Sequence, residues 1–213
     1  MPKGFDGIAQ YYDSLARLVF GDSIRLCQLE YLDKIPPGAQ VLILGGGTGW
    51  LLSELKKINP TCRVWYLESS IRMLEITKAR FDGVSNPEIV FIHGTEKNLQ
   101  EYAAIHFDAV ITNFYFDLFT STSLSTVLRD IKECLKPGVM LLVSEFVAWT
   151  RWHRLLLFLM YRFFRWVCSI EARNMPDWED QLQKNGFVQR SEASFFFGFI
   201  KSALYTFEKD KSH

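Results

Sequence analysis

The chain has 213 residues, 48% hydrophobic and 23% charged, which indicates a folded globular protein rather than a disordered one. Its 24 basic and 24 acidic residues cancel, so the charge gives no sign of a nucleic-acid partner, and we expect none. The 4 cysteines show no C-x-x-C pair and no histidine at zinc-ligand spacing. This pattern predicts reduced thiols, a cytoplasmic protein and no metal site.

Two helical segments precede a repeated pattern of strands and helices. Apolar spacing predicts a helix over 6–19 and a second helix over about 23–34. After a turn at 36–38, the predicted strands are 41–44, 63–67, 88–93, 107–113 and 139–146, and the helices between them are 49–58, 70–80 and 122–135. Because these strands are apolar without alternation, we expect a parallel sheet with helices on both faces.

The C-terminal third follows a different pattern. Its predicted elements are a long helix over 149–171, a shorter helix over 177–185, and strands over 187–196 and 199–208 that form a hairpin around Gly198. Together with the preceding elements they predict an α/β, doubly wound sheet with an antiparallel C-terminal hairpin. We expect one domain, 1–213, with an N-terminal helical cap over 1–35 and a helical insert over 147–185.

Polar residues at the predicted helix starts indicate N-caps. Asp22 is positioned to cap the second helix, and Ser70 the helix over 70–80. Either Thr122 or Ser123 is expected to cap the helix that follows the fourth strand, and Asp177 stands near the start of the last helix. These residues predict where each helix begins.

The stretch VLILGGGTGW, residues 41–50, ends a predicted strand in a loop with alternating Gly45, Gly47 and Gly49. Glycine lets backbone N–H groups approach a ligand closely, and α/β sheets bind ligands at the carboxyl ends of their strands. Dinucleotide-binding loops read G-x-G-x-x-G, whereas this loop reads G-x-G-x-G and has Trp50 in the sixth position. No Gly-Lys-Ser/Thr follows, which excludes a P-loop.

Glu68 stands at the end of the second predicted strand, 23 residues after Gly45. A carboxylate offers only acceptors, so it can receive hydrogen bonds from both hydroxyls of a ribose. The glycine loop and this acid together predict a nucleoside-containing cofactor at the edge of the sheet.

Several segments, in chain order, resemble the class I S-adenosylmethionine-dependent methyltransferases. They are VLILGGGTG, YLESSIRMLEITKAR, FIHGTEKNL, FDAVITNFYFDLF and LKPGVMLLVSEF. The opening FDGIAQYYDSLARL is similar to the start of the subgroup of ubiquinone/menaquinone biosynthesis methyltransferases. The resemblance implies a mostly parallel, seven-stranded Rossmann-like sheet of order 3-2-1-4-5-7-6, and S-adenosyl-L-methionine as the cofactor.

The resemblance also implies which residues contact the cofactor. In the family the glycine loop lies along the methionine end, the acid of strand two holds the ribose, and the next residues flank adenine. The turn after strand three lies at the adenine edge, and the segment after strand four passes the methionine end. The matching residues are Gly45, Gly46, Gly47, Thr48, Gly49, Glu68, Ser69, Met73, Gly94, Thr95, Glu96 and Asn113.

Two positions depart from the family pattern. Ile43 stands where the family often has an acid that supports the glycine loop and the amino end of the cofactor. Its absence weakens cofactor binding unless Glu145 or Asp117 substitutes for it. Thr95 replaces a common Asp, and the adjacent Glu96 is expected to keep a polar contact with adenine.

Methyl transfer from a sulfonium requires alignment of the acceptor and exclusion of water, and a general base only where the acceptor carries a proton. Asp117 in NFYFDLF is the candidate base or acceptor-orienting residue, because its segment faces the transfer point in the resembling fold; the alternatives are a helix cap and a solvated loop acid. The candidate acceptor-binding residues are Tyr12, Tyr115, Phe116 and Trp149.

The segment 149–170 contains four arginines and no acid. On a helix, Arg151, Arg154, Arg162 and Arg165 fall within about 80° of one another, and the remaining arc is apolar. Three interpretations stay open: a lid over an apolar acceptor, contact of 151–166 with a membrane surface, or a packed cover helix, including one at a homodimer interface.

These observations predict methyl transfer to a small or lipid-like apolar acceptor, with a quinone-related compound as one candidate. The alternative is a non-catalytic, methyltransferase-like protein that binds S-adenosylmethionine, and Ile43 motivates it. For either function we expect a cytoplasmic protein, and the 151–166 segment adds the alternative of a membrane-peripheral one.

Overall fold

The computed structural model describes residues 5–7, 9–83, 88–168 and 175–208. The helices are α1 (Tyr12–Phe20), α2 (Ser23–Leu29), α3 (Trp50–Ile58), α4 (Ile71–Arg80), α5 (Ser121–Glu133), α6 (Arg151–Cys168) and α7 (Trp178–Lys184). The strands are β1 (Gln40–Leu44), β2 (Arg63–Glu68), β3 (Ile89–His93), β4 (Ala109–Asn113), β5 (Met140–Phe146), β6 (Phe187–Phe195) and β7 (Ile200–Phe207).

All of these strands belong to one seven-stranded sheet of order β3-β2-β1-β4-β5-β7-β6. Strands β1 to β5 pair in parallel, whereas β7 runs antiparallel to both β5 and β6. The predicted fold class and strand order are confirmed. The carboxyl ends of β1, β2 and β4 therefore lie side by side at one edge, where parallel sheets bind their ligands.

Helices cover both faces of the sheet, which explains the apolar strands without alternation. Alternate residues of β1 belong to two different cores. Leu42 and Leu44 pack in a cluster that includes Leu124 of α5, and Val41 and Ile43 pack in a cluster that includes residues of α3. All four of these side chains are buried. The sequence of such a strand therefore does not alternate between apolar and polar residues.

The helix caps agree with the prediction at two helices and differ at two. Ser70 accepts a hydrogen bond from the backbone N–H of Met73, and Asp177 accepts one from Asp180. The cap of α5 is Thr120, whose side chain and Ser123 form a reciprocal capping box, so the prediction of Thr122 or Ser123 was wrong. Asp22 makes no side-chain cap hydrogen bond.

Asp22 has helical backbone angles, with φ −90° and ψ 0°, where an N-cap residue is normally extended, and its carboxylate lies 3.5 Å from Arg17. The helix predicted over 23–34 is divided: α2 ends at Leu29, and a separate 3-10 turn covers Leu32–Lys34. The long helix α6 matches the prediction over Arg151–Cys168, and the predicted end at 169–171 lies outside the described residues.

A third apolar cluster joins the N-terminal helices to α6 above the carboxyl ends of the strands. It contains Phe20, Cys27, Phe146, Leu157, Tyr161, Phe199 and Ile200. Helix α1 and helix α6 therefore stand on either side of the space that follows β4. Within the part of the chain that the structure describes, no helix is long and apolar enough to cross a membrane.

Candidate active site

The loop 45–49 connects β1 to α3 and is held against the end of β2. The backbone N–H groups of Gly45 and Gly46 donate to the carbonyl oxygen of Leu67, at 3.0 and 3.3 Å. The N–H of Gly47 donates to a carboxylate oxygen of Glu68 at 2.8 Å. The hydroxyl of Tyr66 donates to the carbonyl oxygen of Gly47 at 2.9 Å. Strand β2 thus fixes the shape of the loop.

Packing within the protein requires three of the four glycines in this loop. A Cβ at Gly45 would lie 2.6 Å from the ring of Tyr115, and a Cβ at Gly46 would overlap the ring of Tyr66. A Cβ at Gly49 would overlap the side chain of Thr77. Of the four, only Gly47 faces open space. Its φ of +69° lies in the left-handed region, which explains why this position is a glycine. The sequence analysis attributes the glycines of this loop to the close approach of a ligand. In the structure, neighbouring side chains of the protein leave no room for a Cβ at three of the four positions.

A cavity opens above this loop, and many of the predicted cofactor residues line it. They are Gly45, Gly46, Gly47, Thr48, Glu68, Ser69, Met73 and Asn113, together with Tyr115. Ile43 also lines it. Gly49 is not on its wall, because it packs beneath the loop against Thr77. The sheet topology therefore brings most of the predicted set to one place.

Glu68 is the buried acid of this cavity. One carboxylate oxygen accepts from Gly47 at 2.8 Å, and the other accepts from the backbone N–H of Ser70 at 2.7 Å. Burial raises the pKa of this carboxyl, and the backbone N–H donors oppose that shift. The backbone and the side chain of Ser69 oppose the shift as well. Because Glu68 lines the cavity, its carboxylate is positioned to accept hydrogen bonds from a ligand's hydroxyl groups.

The turn after β3 does not line the cavity. A Cβ at Gly94 would overlap the side chain of Asn98, and Thr95 is exposed. Glu96 is buried and accepts a hydrogen bond from the hydroxyl of Tyr115 at 3.0 Å. Burial and the charge of Glu96 raise the pKa of Tyr115. In this structure Glu96 positions the Tyr115 ring, which packs against Gly45.

Helices α1 and α2 add charged residues that the sequence analysis did not select. Asp13, Arg17 and Arg25 line the cavity. The hydroxyl of Thr48 donates to the carboxylate of Asp13, at 2.8 and 2.9 Å to its two oxygens. The sequence does contain a sign of these residues. Asp13 and Arg17 are four positions apart, and this spacing places an acid and a base on the same face of a helix. The acid nearest the glycine loop, apart from Glu68, thus comes from the N-terminal helix.

A second cavity, of about 280 Å³, adjoins the first and is almost entirely apolar. It lies between α1, the segment after β4, and α6. Ala16, Ile24, Phe114 and Leu118 line both cavities, so the two share a wall. The residues that line only the second cavity are Leu15, Val19, Phe20, Asp117, Phe146, Leu156, Leu157, Leu159, Met160, Tyr161 and Phe163.

Asp117 is the acid in this apolar lining. It is buried, and its Oδ1 has no hydrogen-bond partner among the described residues. Burial raises the pKa of Asp117 to about 7. Glu145 of β5 accepts from the backbone N–H groups of Tyr115 and Phe116, at 2.8 and 2.7 Å, and burial and the nearby Asp117 raise its pKa well above the usual value.

Neither carboxyl group lines the cavity of the glycine loop, so neither takes the place of an acid at position 43. Two further predicted residues lie elsewhere. Phe116 is fully buried and lines neither cavity, and Trp149 is 69% exposed and lines neither. The side chain of Tyr12 lies outside the described part of the structure. In the described ranges, no group of His, Cys, Asp or Glu side chains could hold a metal ion.

Comparison with known proteins supports the same interpretation of the first cavity. The profile of a methyltransferase domain family matches residues 41–138, which include the glycine loop, Glu68 and the segment after β4. The ubiquinone/menaquinone biosynthesis C-methyltransferase of Laribacter hongkongensis is 33% identical over 152 residues, covering 68% of this chain and 60% of that protein. The chain belongs to the class I S-adenosylmethionine-dependent methyltransferases.

Two further similarities agree with this membership. The demethylmenaquinone methyltransferase of Thermotoga maritima is 34% identical over 145 residues, covering 66% of this chain and 59% of that protein. The chain thus spans about 60% of the length of these curated relatives. The crystal structure of a SAM-dependent methyltransferase from Aquifex aeolicus shares the fold, with a TM-score of 0.64, 14% identity and coverage of 94% and 97% of the two chains.

The cofactor of this methyltransferase family is S-adenosylmethionine, and the residues of the first cavity fit it. Glu68 lines the cavity with an acceptor carboxylate suited to ribose hydroxyls, and Gly47 leaves open space beside the loop. Asp13, Arg17 and Arg25 also line this cavity and supply charges of both signs, as the amino and carboxylate groups of a methionine moiety would need.

Proposed function

We propose that this methyltransferase transfers a methyl group to a small or lipid-like apolar acceptor, and that a quinone-related compound is the acceptor. The observation that carries this proposal is the apolar cavity of about 280 Å³ that shares a wall with the cavity of the glycine loop. Ligand sites are typically apolar with a few polar groups that fix orientation, and Asp117 is such a group here. The relatives named for quinone biosynthesis support the same acceptor class.

In this proposal the first cavity binds the cofactor, which supplies the methyl group. Glu68 accepts hydrogen bonds from its ribose, Ser69 and Met73 flank adenine, and Gly45 and Gly47 lie along its methionine end. Asn113 lies on the same wall, at the end of β4. Thr95 and Glu96 are not needed for direct contact, because Glu96 acts through Tyr115.

The second cavity holds the acceptor and excludes water around it. Tyr115 contributes to the wall beside the cofactor, and Phe114 and Leu118 face both sites. With a pKa of about 7, Asp117 is partly ionised at neutral pH and can take a proton from a phenolic or enolic acceptor as the new bond to the methyl group forms.

Transfer of a radiolabelled methyl group from S-adenosylmethionine tests this function. Purified protein should label a hydroxylated naphthoquinone or benzoquinone that carries a short apolar tail, and should not label hydrophilic catechols or amines. The variant Leu157→Trp, which fills the cavity, should lose transfer yet keep its affinity for S-adenosylhomocysteine. Loss of both properties would point to misfolding, which circular dichroism would detect.

A second candidate function is binding of the cofactor without catalysis, and Ile43 favours it. This apolar residue lines the cavity at a position where the family often has an acid. The labelling experiment separates the two functions. Binding of S-adenosylhomocysteine without transfer to any quinone-type acceptor would support the binding protein, and transfer would exclude it.

A further inference from the structure

An apolar surface runs along the outer side of α6, and we call it the α6 surface. It consists of Trp152, Leu155, Phe158, Leu159 and Phe163, which are exposed, whereas His153, Leu157 and Tyr161 of the same helix are buried. Leu155 and Phe158 are each 60% exposed. Val19 of α1, which lines the apolar cavity together with Leu159 and Phe163, is also exposed and extends this surface. Contiguous exposed side chains of this size mark an interaction site rather than ordinary surface variation.

Arginines accompany these apolar side chains on the exposed half of α6. Arg151, Arg154, Arg162 and Arg165 are all exposed, and the helix contains no acid to pair with them. On the helical wheel Leu155 lies about 20° from Arg162, and Leu159 lies about 60° from it on the same side. A helix lying in a membrane interface has this arrangement, with apolar side chains in the acyl boundary and arginines at the headgroups. The charge complements anionic lipid.

The hairpin turn beside the start of α6 presents a further aromatic side chain. Phe197 is 87% exposed and adopts a left-handed backbone with φ of 54°, as does the adjacent Phe196 with φ of 45°. The turn is tied to α6, because the carbonyl oxygen of Phe197 lies 3.3 Å from Nε2 of His153 and the ring of Phe196 packs against Trp152. Exposed phenylalanine at such a position suits insertion into an apolar phase.

The apolar cavity opens onto the same surface. Val19, Leu159 and Phe163 line the cavity and are also among the exposed residues of α1 and α6. A ligand that leaves this side of the cavity therefore meets the α6 surface before it meets water. For an acceptor that is poorly soluble in water, this continuity offers a direct path from a membrane to the site of transfer.

We propose that the α6 surface, with Phe197, docks onto an anionic membrane and that the acceptor enters the apolar cavity from the bilayer. The entry path rests on the proposed function, whereas the docking itself does not. The contact is peripheral, with α6 lying in the plane of the interface. The attraction comes from the four arginines, and burial of the aromatic and aliphatic side chains adds to it.

Sedimentation with vesicles tests the docking on the whole chain. Wild-type protein should bind vesicles of phosphatidylglycerol and phosphatidylcholine, bind pure phosphatidylcholine weakly, and dissociate as salt is raised. The double variant Arg154→Gln, Arg162→Gln should bind anionic vesicles roughly 30-fold more weakly, since each arginine contributes about a fivefold factor. The matched control, Lys97→Gln with Arg129→Gln, removes two exposed charges elsewhere and should bind as wild type does.

A second variant separates apolar insertion from charge. Leu155→Ser with Phe158→Ser changes two exposed residues that do not line the cavity, so it should fold and methylate a short-tailed, water-soluble acceptor at the wild-type rate. Its binding to anionic vesicles should fall about tenfold or more. Its rate with a long-tailed acceptor embedded in vesicles should fall in parallel.

Two results would overturn the docking. One is equal binding to anionic vesicles by wild type and both α6 variants, or no binding at low salt. The other is a concentration-dependent dimer in analytical ultracentrifugation that the serine variant abolishes, which would assign the surface to a second copy. Because transfer to a water-soluble acceptor is measured separately, either result leaves the proposed function standing, and loss of that transfer alone leaves the docking standing.

Discussion

Glu68 links the glycine loop to β2 and faces the cofactor cavity, so its replacement tests the proposed ribose contact. Glu68→Gln keeps the size of the side chain but removes the charge and replaces one acceptor by a donor, which opposes Gly47 or Ser70. We expect the affinity for S-adenosylhomocysteine to fall about 10- to 100-fold, the usual value for a hydrogen bond to a charged group. Isothermal titration calorimetry measures it.

The control for this change is Glu75→Gln, which alters an exposed acid on α4 outside the cavity. It should leave the affinity unchanged. Equal affinities for wild type and Glu68→Gln would mean that another group holds the ribose.

Ile43 raises the question of why the loop is stable without the usual acid. In this structure the N–H groups of Gly45, Gly46 and Gly47 already have acceptors in Leu67 and Glu68, and Asp13 accepts a hydrogen bond from the Thr48 hydroxyl. Ile43 is 1% exposed and pairs with Ile111 and Tyr66 in the sheet. An added carboxylate would therefore be buried, and none of these three N–H groups is free to donate to it.

We accordingly expect Ile43→Asp to lower the free energy of unfolding by about 2–4 kcal/mol. The affinity for S-adenosylhomocysteine should change by less than about threefold once folded protein is counted. Urea unfolding and calorimetry give the two values, with Ile43→Val as the mild control. A strong gain in affinity would show that the amino end of the cofactor lacks an acid in the wild type.

Asp117 predicts a pH dependence of stability. Its pKa is about 7 in the folded chain, above the ordinary value of 3.8 that holds in the unfolded chain, so the folded state keeps a proton that the unfolded state releases. Folding stability therefore falls as pH rises from about 4 to 7. Asp117→Asn should remove the part of this loss that Asp117 causes, whereas Glu145, whose pKa is also raised, keeps its own part.

Urea unfolding of both proteins at pH 4, 5.5 and 7.5 measures the effect. The variant should gain stability relative to wild type as pH rises through this window, and then hold a constant difference. The exposed control Asp33→Asn should follow wild type throughout. Parallel curves for Asp117→Asn and wild type would mean that Asp117 ionises normally.

At the scale of elements, the N-cap of α5 is a position where the structure differs from the prediction. Thr120 accepts a hydrogen bond from the N–H of Ser123 and forms a capping box with it, whereas Thr122 lies within the helix. Thr120→Ala should lower the free energy of unfolding by about 1 kcal/mol. Thr122→Ala should change it by less than about half of that, because alanine suits a helix interior. A larger loss at Thr122 would contradict this assignment.

Periodicity and turn residues predicted the elements well, because apolar runs bounded by glycine and proline are local signals. Strand β1 is one example, since every residue of Val41–Leu44 is buried. The divided helix over 23–34 and the caps at Asp22 and Thr120 were missed. They depend on local backbone angles, such as those of Asp22, that spacing does not reveal.

At the scale of the whole molecule, the sequence predicted the cofactor wall better than its surroundings. The glycine loop and Glu68 lie close together because β1 and β2 pair in parallel and end at one edge. The roles of Tyr115, Tyr66 and Thr77 against the glycines depend on side chains that are far apart in the chain. The same holds for Asp13, which reaches Thr48 from α1.

The acceptor side could be predicted only in outline. Asp117 and Glu145 are brought together by the pairing of β4 with β5 and by the turn at Phe116, and neither residue alone shows that its neighbour is a second buried acid. The apolar cavity arises where α1 and α6 approach the segment after β4, so no single stretch of sequence encodes it.

A crystal structure with S-adenosylhomocysteine and a short-tailed hydroxyquinone bound tests the central claim most directly. We expect the ribose on Glu68, the sulfur facing the wall shared by Ala16, Phe114 and Leu118, and the quinone ring in the apolar cavity with an oxygen on Asp117. Cofactor product bound away from the glycine loop, or a quinone seated outside the apolar cavity with its reactive atom turned from the sulfur, would contradict the account.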